Sequence, residues 1–261
     1  MLGSLQAVGL LALSAGLSQA ETFFYLVRQW PTTYCTVEAS CSTYPDRNAF
    51  SIHGLWPNYD RGGYPENCTN ELYNPSSVAD IRSQMTEAWE SYSEPNDRFW
   101  GHEWECHGTC TKLGQAEFFR TVLSLNQKYN LEDALANAGI VPNEQTTYST
   151  ADIGDAITKA YNAQPTVRCA NRRQEGEQLL DSIFMCFNEN LEAEDCLDAC
   201  PQGCERSNCK EALYLPVENA LASQGLALDN LVDGSGPLRR RGRVECQRGD
   251  HGPSAQAVQA S

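Results

Sequence analysis

Positive charge is scarce in this chain: 19 lysines and arginines stand against 34 aspartates and glutamates, a formal net charge of −15 at pH 7. That balance argues against a protein that grips nucleic acid through a broad basic face. It does not exclude a nucleic-acid substrate, because an enzyme that must release its product needs only a local phosphate site. At acidic pH, carboxylates and histidines are protonated together, which weakens repulsion toward a polyanion. Long apolar runs are missing as well. Beyond the first twenty residues no stretch reaches the ~18 apolar residues of a membrane span, so no membrane partner is expected. There is no internal repeat, and helical and strand segments do not alternate strictly, which disfavours a doubly wound parallel sheet.

The first twenty residues carry no charge, hold an apolar stretch from Val8 to Leu17 and end in Ser18-Gln19-Ala20. This pattern predicts a signal peptide over residues 1–20, although the usual positive n-region is missing; a buried N-terminal helix is the alternative. All 12 cysteines lie downstream of Ala20, an even count that fits an oxidising compartment in which disulfides close loops. The sequon Asn67-Cys68-Thr69 makes Asn67 a candidate glycosylation site, with a cysteine in its middle that would slow the modification. With 261 residues and 41% hydrophobic content, the chain is long enough for one domain with a sizeable core.

Along the chain, Thr22 to Trp30 is aromatic and β-branched and reads as a strand stopped by Pro31. Ala49 to Leu55 reads as a second strand with His53 near its end, where Gly54 and Pro57 turn the chain. Residues 57–74 have no period and read as loop, whereas Val78 to Trp89 has helical spacing. Asp97 is placed to cap a helix ending near Gly108. Further helices are predicted around Phe118 to Leu125, Leu131 to Ala138 and Asp152 to Tyr161, with strands over Thr166 to Cys169 and Leu179 to Phe187. Residues 188–209 are acidic, cysteine-dense and loop-like. One helix is expected beyond Pro216, then Gly234-Ser235-Gly236-Pro237, the basic run Arg239-Arg240-Arg241-Gly242-Arg243 and a Gly, Pro, Ser, Gln and Ala tail. The order of elements predicts an α+β fold, an antiparallel sheet flanked by helices, stapled by disulfides in a single domain.

Three of the four histidines sit in two tryptophan-rich segments, Phe50-Ser51-Ile52-His53-Gly54-Leu55-Trp56-Pro57 and Phe99-Trp100-Gly101-His102-Glu103-Trp104-Glu105-Cys106-His107-Gly108-Thr109-Cys110. On a helix Glu103 and His107 share a face, and His102 and Cys106 the neighbouring one. Cleavage of RNA through its own 2′-hydroxyl needs a base for the hydroxyl proton, an acid for the departing 5′-oxygen and donors around the phosphorane. Two imidazoles and a carboxylate meet those needs, and Trp56, Tyr64, Phe99 and Trp100 could offer faces to a single-stranded base. A zinc site is the rival. His102 and His107 are five apart, however, not the i and i+4 of H-E-x-x-H, a slip of ~100° around a helix. A structural zinc using Cys106, Cys110 and a histidine competes with disulfides. The basic run has two readings of its own, a solvated linker or a processing and anion-binding site.

The two segments resemble the paired active-site motifs of the acid ribonuclease family of the T-two type, which includes plant S-like and self-incompatibility ribonucleases. Phe24 to Pro31 is similar to that family's first strand and Cys209 to Pro216 to its last. The resemblance implies a catalytic domain over 21–216, and the composition of residues 217–261 predicts a partly disordered C-terminal extension. It implies His53 as the general acid, His107 as the base, and His102 with Glu103 on the phosphate, His102 binding it. Gln29 and Phe99 match base-contacting positions of plant members; Trp56, Asn58 and Tyr64 match those of fungal members. It further implies single-stranded RNA as substrate, a 2′,3′-cyclic phosphate product, no metal or other cofactor, no DNA partner, a monomer, and a secreted or vacuolar location.

One position departs from the family pattern: Cys106 stands where a lysine usually precedes the final histidine. Loss of one preorganised donor to a phosphorane can cost ~10²–10³ in rate. A catalytically impaired storage or RNA-binding protein is therefore the alternative function. The resemblance implies disulfides Cys35–Cys41, Cys68–Cys110, Cys169–Cys209 and Cys186–Cys200. Cys196–Cys204 is then locally plausible, which leaves Cys106 to meet Cys246 from the tail.

Overall fold

In the computed structural model, which describes residues 22–39, 41–171, 176–199, 206–217 and 246, the aromatic run Thr22–Gln29 forms strand β1. The leader expected over 1–20, the helix expected beyond Pro216, the basic run, Cys200 and Cys204 lie outside the described residues. Pro31–Thr33 makes a short turn of helix, α1. The remaining strands are β2 (Ser51–Tyr59), β3 (Thr147–Ser149), β4 (Thr166–Asn171), β5 (Gln178–Phe187), β6 (Ala193–Glu194) and β7 (Ala212–Tyr214). Together they form one sheet in the order β2-β1-β5-β7-β3, with β4 and β6 also on β5. Every pairing is antiparallel except β5 with β7.

The two-residue period of the strands sorts their side chains onto two faces. Phe24, Leu26, Ile183 and Met185 enter the large core, where Met85, Trp100, Trp104, Phe118, Phe119, Val122, Leu131, Ile153 and Ile157 cover them. Those covering residues come from α2 (Arg82–Ala88), α3 (Asn96–Cys106), α4 (Gln115–Lys128), α5 (Leu131–Ala136) and α6 (Thr150–Tyr161). Phe23, Tyr25, Val27, Trp56 and Phe184 point the other way, into a smaller cluster closed by Cys196 and Ala199 of α7 (Cys196–Ala199). The protein is thus an α+β fold with its helices gathered mainly over one sheet face.

Several local expectations need correction. Strand β2 does not turn at Gly54 and Pro57 but continues to Tyr59. It can do so because, among the described residues, β2 is an edge strand paired only with β1, where proline is tolerated. The turn comes at Gly62 and Gly63, both at positive φ. Asp97 is not the cap of α3: Pro95 precedes the helix, and Asp97 in its first turn takes two hydrogen bonds from Arg82, at 2.7 and 2.8 Å. The acidic segment after Asn188 is not all loop, since β6 and α7 lie within it.

Five disulfides join the described cysteines: Cys35–Cys41, Cys68–Cys110, Cys169–Cys209, Cys186–Cys196 and Cys106–Cys246. Cys186 therefore bonds Cys196, neither Cys186–Cys200 nor Cys196–Cys204 being formed. The reason is strand pairing: β6 lies against β5 with Glu194 opposite Cys186, which brings the Cα of Cys196 to 5.1 Å, within ordinary disulfide reach.

Candidate active site

The site lies where the edge strand β2 meets α3. Val27 of β1 lies opposite Gly54, whereas Arg28 lies opposite Ile52, so His53 is the extra residue of a β-bulge. The bulge also explains why Ile52 and Leu55, three apart, both enter the large core. The His53 carbonyl is held from behind by the indole N–H of Trp89 at 2.7 Å, and the Trp89 carbonyl in turn accepts from Trp100 Nε1 at 2.8 Å. The imidazole of His53 keeps 24% of its surface exposed.

Helix α3 is oriented by Trp100 and Trp104, one turn apart and both in the large core. With that stripe buried, Glu103 is directed at β2 and is 0% exposed. Its Oε2 accepts a 3.0 Å hydrogen bond from Trp56 Nε1, and its Oε1 lies 3.8 Å from His53 Nε2. His107 terminates α3, donating its backbone N–H to the Glu103 carbonyl at 3.2 Å. The ring of Trp56 stands 5.0 Å from that of His53 and 5.4 Å from that of His107, and His102 stands 6.0 Å from His107. His53, Glu103 and His107 are therefore gathered around one indole, with His102 beside His107.

Two glycines make this approach possible. A Cβ on Gly54 would collide with Glu103 Oε2 and Trp56 Nε1, and one on Gly108 would collide with the ring of Trp104. From the sequence Gly54 reads only as a turn, Gly108 only as a helix end and Trp89 only as part of a helical stretch, none of them as a support of the site. A glycine inside a strand pattern is the signal that could have pointed to Gly54, because such glycines mark close backbone approach.

The expected base-contacting residues divide. Gln29 and Phe99 are partly exposed, Phe99 with its ring 5.6 Å from His53. Trp56, Asn58 and Tyr64 are buried, at 1%, 6% and 3% exposure. Trp56 engages Glu103, and Asn58 Nδ2 donates to the Trp56 carbonyl at 2.9 Å, so both side chains are held inside the protein rather than presented to a base.

Arg28 is no substitute for the missing lysine. It is 3% exposed, lies 3.5 Å from Glu132 and stacks over Phe50. Burial pushes its guanidinium pKa down against the opposing pull of Glu132. Cys106 is 0% exposed and bonded to Cys246, its sulfur 3.7 Å from His102 Nδ1. Cys106 thus carries no free thiolate beside His102. His102, Glu103 and His107 offer ligand atoms within 4.8 Å of one another, a set that a cation could use after closing inward to the ~2 Å bonds of zinc.

The fold has relatives among solved ribonuclease structures. The structure is similar to that of RNase NT in complex with 5′-AMP, with a TM-score of 0.69 and 34% identity, covering 76% of this chain and 100% of that one. The family model of the Ribonuclease T2 family matches residues 21–196, and the chain belongs to that family. Ribonuclease 1 of Arabidopsis thaliana is 37% identical over 206 residues, 73% of this chain and 88% of that protein. A ribonuclease-like storage protein of Panax ginseng is 34% identical over 170 residues, 64% of this chain and 71% of that protein. Cys246 lies beyond the family match.

Proposed function

We propose that the protein is a secreted or vacuolar endoribonuclease that cleaves single-stranded RNA without a metal. The observation that carries this reading is the buried Glu103 set between Trp56 and His53, with His107 one helical turn away on the same helix. His107 takes the 2′-hydroxyl proton as that oxygen attacks phosphorus, and a new P–O2′ bond forms. The P–O5′ bond breaks, and His53 protonates the departing 5′-oxygen. His102 binds the phosphate, and Glu103 favours the charged form of the imidazole beside it. Water then opens the 2′,3′-cyclic phosphate with the two histidines exchanging roles. Gln29 and Phe99, partly exposed, are the rim positions for a base. Among the described residues no helix is long and apolar enough to cross a membrane.

One observation favours a second reading, an impaired storage or RNA-binding protein. His107 is only 1% exposed, and the position of the usual lysine is a disulfide sulfur. Incubation of the mature protein with RNA in excess chelator, from acidic to neutral pH, separates the two. Cyclic-phosphate ends that vanish in His107→Ala are expected. Cleavage that requires added metal overturns the mechanism, and no cleavage at any pH favours the storage reading.

A further inference from the structure

The sequon Asn67-Cys68-Thr69 meets the tail at one atom. Asn67 Nδ2, the nitrogen that would carry a glycan, donates to Cys246 Sγ at 2.9 Å, while the Asn67 backbone N–H is bonded to the Cys106 carbonyl at 3.1 Å. Asn67 is held in the left-handed region at φ 50°, and its neighbour Cys68 is bonded to Cys110. We infer that an N-linked glycan at Asn67 and the Cys106–Cys246 disulfide exclude one another, so that each molecule carries one or the other.

The physical ground is space. A pyranose bonded to Nδ2 needs the volume that Cys246 holds, and the folded sequon has both of its Asn67 nitrogens engaged on the Cys106–Cys246 unit. Timing decides between the two outcomes. Asn67 is synthesised 179 residues before Cys246, so a glycan can arrive before the tail cysteine exists. Transfer forms a bond from Nδ2 to the sugar's anomeric carbon, releases the diphosphate of a lipid-linked glycosyl donor and frees one amide proton. Closure instead forms an S–S bond, the two thiols giving up two protons and two electrons to an oxidising disulfide. The inference does not depend on ribonuclease activity. Its consequence reaches the site nonetheless, because the closed form fixes a disulfide sulfur 3.7 Å from His102 Nδ1.

Secretion of the full chain from a eukaryotic host, separation of glycosylated from bare molecules on a lectin, alkylation without reduction and peptide mapping test the exclusion. Bare molecules are expected to yield the Cys106–Cys246 cross-linked peptide. Glycosylated ones are expected to lack it, and Thr69→Ala is expected to convert the whole population to the cross-linked form. Glycan and cross-link recovered on the same molecules would overturn the inference, as would a Thr69→Ala protein without the cross-link. If wild type is entirely bare, Cys246→Ser decides: glycan is expected to appear at Asn67, and its continued absence overturns the inference.

Discussion

The carboxylate of Glu103 sits so close to Gly54 that a single methyl group at that position would have to displace it or the Trp56 indole. Gly54→Ala is therefore expected to lower kcat/KM by ~100-fold, as misplacing a reacting group by about 1 Å does, and to cost ~1–3 kcal/mol of stability through overpacking. Steady-state kinetics with thermal unfolding on the same preparation checks both, and wild-type kinetics would show that Glu103 is not positioned through this contact. The two histidines are separable by pH. In the proposed mechanism His107 as base must be neutral and His53 as acid charged, so His107→Ala is expected to remove the acid-side fall of the rate profile and His53→Ala the alkaline-side fall. Each is expected to lose ~10²–10⁴ in rate, and identical profiles for both variants would refute the assignment.

Strand β5 holds Asp181 half-buried; its Oδ2 accepts from Ser182 Oγ at 2.9 Å and its backbone carbonyl accepts from Trp30 N at 2.6 Å. Burial pushes the Asp181 carboxyl above its ordinary pKa, only partly opposed by the Ser182 hydrogen bond, Arg168 and Gln29. A raised carboxylate pKa means the folded chain holds the proton longer than the unfolded one. The associated stability is full below the unfolded value of ~3.9 and is lost as pH rises through the folded value. Asp181→Asn is accordingly expected to gain Tm on wild type as pH is raised from about 3 to 7; a constant difference across that range would contradict it. The elements themselves were legible to different degrees. The aromatic and β-branched run from Thr22 to Trp30 announces a strand, Gly108 marks the end of a helix, and the two histidine segments announce chemistry. Pro57 reads as a break because its tolerance depends on β2 being an edge, which is a property of the sheet. The bulge at His53 is likewise invisible without the register of β1. The partner of Cys186 depends on β6, a strand of two residues that carries too little pattern to be read. Buried Trp56 reads as a stacking platform until the fold shows what covers it.

Across the whole molecule, the net charge of −15 leaves the proposed recognition of RNA to a local set of donors. With one or two phosphates engaged, log KM is expected to change with log salt at a slope of only about 0.7–1.4 in magnitude, the single-strand value per contact being ~0.7. A slope several times steeper, measured from 50 to 300 mM salt with single-stranded RNA, would reveal a broad basic face after all. The site is also divided between two distant parts of the chain, for the Trp56–Glu103 hydrogen bond spans 47 positions. Neither β2 nor α3 alone brings His53 near Glu103. During refolding, secondary structure can therefore recover before the histidines are assembled. Return of enzymatic activity would time the docking of α3 onto the sheet edge, an event that a helix signal alone would miss.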